Sequence, residues 1–180
     1  MKKITRIAAI LTFIFTFVSP VADAMTVNYT EMSVPTYINT SFKTYMDYRT
    51  VTSTGSPQYK FIHTWGWSDC NGFMRANAER DLGIPDDYYL IALGSYYGTK
   101  IGTKYRITLD TGRIFYAVLG DQKDNGDTNS THQYAYHNDV VEFIVDTRNL
   151  INQVKIMGSA NTYMPLNGNI SKIERIDFLE

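Results

Sequence analysis

Residues 90–146 read LIALGSYYGTKIGTKYRITLDTGRIFYAVLGDQKDNGDTNSTHQYAYHNDVVEFIVD, and their patterning decides the fold class. Residues 104–109 alternate, with Tyr105, Ile107 and Leu109 on one face, as a half-buried strand does. Asp110-Thr111-Gly112 is turn chemistry, and residues 113–119 follow as a hairpin partner. Residues 140–146 form another strand, with Val141, Phe143 and Val145 on one face and Glu142 beside Ile144 on the other. Strands are also expected at 88–93, 150–157 and 170–178, and a long polar loop at 120–138. Many short strands broken by turns predict a mainly β barrel or sandwich.

Upstream the pattern is less regular. Residues 73–82 (FMRANAERDL) place Phe73, Ala76 and Arg80 at helical spacing, and Gly83-Ile84-Pro85 ends the run, so one short helix is expected there. The aromatic stretch 59–67 (YKFIHTWGW) reads as a strand and 68–72 (SDCNG) as a turn. Residues 25–57 are polar, rich in threonine and broken by Pro35 and Pro57. They read as an N-terminal extension with one strand around Phe42, Tyr45 and Tyr48, ahead of a domain at 58–180.

Residues 1–24 have the layout of a signal peptide. Lys2, Lys3 and Arg6 precede an apolar run at 7–18, and Ala22-Asp23-Ala24 offers a cleavage site. The run is shorter than the roughly 20 residues a membrane span needs. The expectation is therefore a secreted or cell-wall protein with no membrane attachment after cleavage. Cleavage would remove three of the 17 basic and one of the 18 acidic residues, leaving an acidic excess of three. That balance speaks against nucleic acid as a partner, which calls for a clustered basic excess. Cys70 is the only cysteine, so no intramolecular disulfide can form.

Two carboxylates stand out. Asp121 follows directly on a strand, with Lys123 nearby to favour its ionised form. Spacing alone favours an ordinary Asp in a Gly-Asp turn. Glu142 lies inside an apolar run, where a charge is costly unless solvated, paired or functional. An exposed strand face would also accommodate it. Asp124, Asp127 and Asp139 share the polar loop but lack calcium-loop order, and read as solvated loop acids. His132 and His137 lack the spacing of a zinc site. No metal and no cofactor are expected. Aromatic faces stack on sugar rings, and Tyr96 and Tyr97, set beside two glycines, are groove candidates alongside Lys123 and Asp127.

At these residues the chain resembles the three-aspartate double-psi β-barrel domains of bacterial cell-wall proteins, relatives of expansins and lytic transglycosylases. Gly102-Thr103-Lys104 matches the family's turn, Ala117–Asp121 approximates its Ala-X-X-Asp element, and Glu142 falls where its last aspartate stands. A group of clostridial secreted proteins shows the same layout. The family's first aspartate has no counterpart near Ala92-Leu93-Gly94. The resemblance implies a six-stranded double-psi barrel at about 88–178 and a peptidoglycan-remodelling, lytic-transglycosylase-like activity. Asp121 would then be the acid/base, and Glu142 would orient or polarise. It leaves open an expansin-like module that only binds wall glycan, and a partner-binding domain of a surface apparatus.

Overall fold

The computed structural model describes residues 26–77 and 87–179. The signal segment expected at 1–24 and the second half of the helix expected at 73–82 lie outside the described residues. The strands in chain order are β1 (Thr26–Met32), β2 (Tyr45–Asp47), β3 (Gly66–Ser68), β4 (Met74–Asn77), β5 (Asp87–Leu93), β6 (Lys104–Leu109), β7 (Ile114–Gln122), β8 (Glu142–Val145) and β9 (Ile170–Leu179). Two α-helices, α1 (Pro57–Trp65) and α2 (Asn152–Met157), complete the mainly β chain.

The strands form one mixed sheet in the order β1-β9-β6-β7-β5-β4-β3, with β8 off this path between β5 and β2. β5 pairs with β7 in parallel, and β2 does so with β8. The terminal strands β1 and β3 do not pair with each other, so the sheet is open. The closed six-stranded barrel implied by the resemblance is therefore not what the described strands form. Two strands of the expected extension are built into the sheet: β1 runs along β9 from Thr26↔Leu179 to Met32↔Ile173, and β2 along β8.

β5 organises the rest. One edge pairs with β7, and the other is divided between β4 (at Asp87–Tyr89) and β8 (at Ile91 and Ala92). Both faces of β5 are covered, so its apolar residues run continuously. Tyr89, Ile91 and Leu93 enter a large core with Tyr105, Ile107, Leu119 and Phe143. Tyr88 and Leu90 enter a smaller one with Val118, Ile144 and Ile62.

Three sequence expectations are corrected. Residues 57–65 are a helix, and the expected strand survives only as β3. Ser56 caps the helix, its Oγ accepting from the Tyr59 amide at 3.1 Å, and Pro57 occupies the first turn. Residues 74–77 are a strand where a helix was expected. Pairing with β5 puts Met74 and Ala76 into the smaller core and sets Arg75 over the Tyr89 ring at 3.6 Å. That tertiary contact overrides local helix propensity. Residues 152–157 are helical, not extended, and end at left-handed Gly158.

A β-bulge in β7 positions the candidate site. Ile91 pairs with Leu119, but Ala92 pairs with Asp121, leaving Gly120 as the extra residue. A Cβ at Gly120 would lie 2.6 Å from Leu90 Cδ2 and 2.8 Å from Ile144 Cδ1. Gly120→Ala is therefore expected to cost about 1–3 kcal/mol through overpacking. Denaturant unfolding measures it, and a loss below about 0.5 kcal/mol would show that the bulge tolerates a side chain.

Candidate functional site

Asp121 and Glu142 meet through β5. Asp121 pairs with Ala92 from one side and Glu142 pairs with Ala92 from the other. Residues paired across neighbouring strands share a face, so both carboxylates lie on the side of the smaller core. Two strand spacings separate their backbones, roughly 9–10 Å. Both residues are half-buried.

Their environments hold both carboxyls above the ordinary carboxylate range. For Asp121 the cause is burial, offset only by the Gln122 amide, which donates to its Oδ1 at 2.8 Å. For Glu142 burial is again the largest cause; Lys123 opposes it, while Asp139 and Asp121 add repulsion. The Thr44 hydroxyl also lies within reach of Glu142. A free hydroxyl proton there would favour the ionised carboxylate. That proton instead goes to Asp139 Oδ2, at 2.5 Å, so towards Glu142 the oxygen can only accept. Among the described residues, neither Asp121 nor Glu142 belongs to a salt bridge.

The charge pair of the site is Lys123 with Asp139. Both side chains are only 3% exposed. The Lys123 ammonium donates to an Asp139 carboxylate oxygen and, at 2.9 Å, to the Asp139 carbonyl. The Thr44 amide donates to the other Asp139 oxygen at 3.1 Å. This knot ties the loop after β7 to the segment before β8 and to the chain leading into β2. Lys123 thus contributes positive potential to Glu142 and borders the same groove, but its ammonium is committed to Asp139.

The carboxylates open into different depressions. Glu142 lines a groove of about 460 Å³ with Thr44, Asp124, Asp127, Tyr136 and His137. Asp121 lines one of about 340 Å³ with Met46, Thr50, Ser53, and Ser56 and Gln58 at the start of α1. Asp127 is exposed and borders the first groove. Tyr97 is fully buried, its hydroxyl donating to the Ser33 carbonyl at 3.3 Å, so it belongs to the core and not to a groove. Tyr96 is 41% exposed and packs edge-on against Tyr97, away from both depressions. The short helical turn at 95–97 separates the two rings, one inward and one outward.

Sequence reasoning missed Thr44 and took Asp139 for a solvated loop acid. Nothing local marks either residue, because their partners lie 95 positions apart. Gln58 was missed too, because the extension was read to end at residue 57 and a strand to begin at residue 59. The Ser56-Pro57 pair was its available signal. Among the described residues, no group of three or more His, Cys, Asp or Glu side chains is arranged to hold a metal ion. No helix among them is long and apolar enough to cross a membrane. Comparison of the chain with family models, with curated proteins and with solved structures finds no match.

Proposed function

We propose that the chain is an exported peptidoglycan-remodelling enzyme of lytic-transglycosylase type, with Asp121 as its acid/base. The observation that supports it is the placement of Asp121 and Glu142 on either side of Ala92, half-buried and raised by burial. Two carboxyls whose surroundings differ can divide acid and base roles. Asp121 has no cation to hold it ionised, which suits a proton donor. Glu142 feels Lys123, which suits a carboxylate that stabilises positive charge.

In the reaction, protonated Asp121 gives its proton to the glycosidic oxygen as the C1–O bond breaks. Glu142, which opens into a separate depression, acts on the developing positive charge of the sugar at a distance and not by contact. The C6 hydroxyl of the same sugar then attacks C1 and returns its proton to Asp121. The product is a 1,6-anhydro sugar, and no water is consumed. The double-psi relationship enters by analogy, through the parallel pairing of β5 with β7 and the carboxylate at the end of β7.

A second reading is a wall-glycan binding module without catalysis. It is favoured by the opening of the two carboxylates into separate depressions and by exposed Trp65, Trp67 and Tyr136. Incubating the full chain with purified peptidoglycan, and identifying the products by mass spectrometry, separates the two. Anhydromuropeptides establish the enzyme. Co-sedimentation with no products establishes the binding module, and neither result would leave only a protein partner to seek.

A further inference from the structure

Tyr136 is 81% exposed, the most exposed of the large hydrophobic side chains among the described residues. Nothing local obliges it to be aromatic. An exposed ring gains little from burial, and its side chain makes no hydrogen bond or ring contact among the described residues. Its backbone is nevertheless tightly built. Ala135 and Asp139 form a bridge across the loop, with the Ala135 amide donating to the Asp139 carbonyl at 2.9 Å. The Asp139 amide donates back to the Tyr136 carbonyl at 3.2 Å.

The loop is also strained. His137 and Asn138 are consecutive residues in the left-handed region, with φ of 58° and 62°. Non-glycine residues there carry a conformational cost, and such costs concentrate at sites with a task. Two contacts over-determine the geometry: the His137 ring packs on Phe42 with centroids 5.2 Å apart, and Asp139 is anchored by Lys123 and Thr44. The effect is to present one bare aromatic ring on a fixed support.

Tyr136 stands between two depressions. On one side is the groove that holds Glu142. On the other is a groove of about 350 Å³ lined by Gly126, Asp127, Thr128, Asn129 and Tyr134. Asp127, Ala135, Tyr136 and His137 border both. Each has the volume of a small-molecule site. An aromatic ridge among carboxylate, hydroxyl and amide groups suits a ligand with apolar faces and polar edges, which is the chemistry of a pyranose ring. An apolar peptide would leave those polar groups unpaired.

We propose that Tyr136 is a stacking platform for a sugar ring, dividing the surface beside Glu142 into two adjoining glycan subsites. The proposal rests on the glycan reading above and adds where the strand lies. It runs across the Tyr136 ridge, from the groove at Asn129 to the groove at Glu142.

The test is titration of the full chain, carrying Asp121→Asn to prevent turnover, with an N-acetylglucosamine pentamer, followed by calorimetry. Tyr136→Ala in that background is expected to weaken binding by roughly threefold to tenfold, the scale of an aromatic stacking contact. Tyr136→Phe is expected to bind like the parent. The thermal midpoint should stay unchanged in both, because the ring is exposed, so a binding loss cannot be ascribed to unfolding. If Tyr136→Ala binds as the parent does, the platform is overturned while the glycan reading stands. If the parent binds neither the pentamer nor sedimented peptidoglycan, both fall together.

Discussion

Asp121→Asn, on the proposed acid/base role of this residue, is expected to lower anhydro-product release by about 10²–10⁴-fold, the usual contribution of a positioned general acid/base, and at the same time to stabilise the fold at neutral pH. The sign of the second effect follows from burial. The folded-state pKa of Asp121 is raised above its unfolded value. The stability this contributes is fully present below the unfolded pKa, near 3.9, and is lost as pH rises through the folded value. As pH rises from the unfolded value through the folded one, the parent loses stability that the Asn variant, which does not titrate there, keeps. The variant should therefore match the parent in thermal midpoint at low pH and exceed it at neutral pH. Substitutions that relieve such sites commonly add about 0.5–2 kcal/mol.

Glu142→Gln should show the same divergence, because burial raises Glu142 as well. Thermal unfolding of parent and variants at pH 3 and pH 7, alongside the product assay, reads both effects. Activity lost without any pH-dependent gain in stability would mean that Asp121 is not desolvated as its position implies. Retained activity would remove the acid/base role outright.

Lys123→Met will be the most damaging single change to the fold in the site. It leaves the Asp139 carboxylate, 3% exposed, with only the Thr44 amide and hydroxyl as partners. Breaking a buried ion pair from one side costs about 3–5 kcal/mol, because the remaining charge stays desolvated. For a domain of this size that corresponds to a fall of roughly 10 °C in the thermal midpoint. Adding Asp139→Asn should recover much of the loss, since Asn retains an oxygen to accept from the Thr44 amide and carries no charge. A double-mutant cycle by chemical denaturation measures the coupling. If Lys123→Met costs less than about 1 kcal/mol, the pair is more hydrated than its burial indicates. The same substitution removes the cation that favours ionised Glu142, so any residual activity should shift in pH dependence.

The hairpin of β6 and β7 was legible in the sequence because alternation and an Asp-Thr-Gly turn agree there. β8 was legible for the same reason, and with it the separation of Glu142 from Val141, Phe143 and Val145. The two helices and β4 were not legible, because local spacing and propensity in each point to the other state. Residues 74–77 extend only because β5 offers an edge, and the helical spacing of Phe73 and Ala76 counts for little against it. In α1 the β-prone aromatics masked the Ser56-Pro57 start.

The site divides in the same way. Asp121 and Glu142 were visible as carboxylates at unusual places. Simple alternation from Leu119, however, would send Asp121 to the larger core. Only the unpaired Gly120 brings it to the face of Glu142. The Lys123–Asp139–Thr44 knot joins three segments and leaves no local trace.

That unpaired glycine also governs how the chain can tolerate changes in length. Residues may be added or removed in the exposed stretch 124–131 without altering which way any strand residue points. Deleting Gly120 would restore regular pairing of β7 with β5 and leave Asp121 opposite Ala92, on the face it already shares with Glu142. A one-residue deletion there would therefore keep the carboxyl pair together, whereas drawing Gly120 into regular pairing with Ala92 would turn Asp121 to the opposite surface, beside Leu93 and Leu119. Among proteins that share this layout, the Leu119 and Asp121 positions should therefore be directly adjacent or separated by a single unpaired residue.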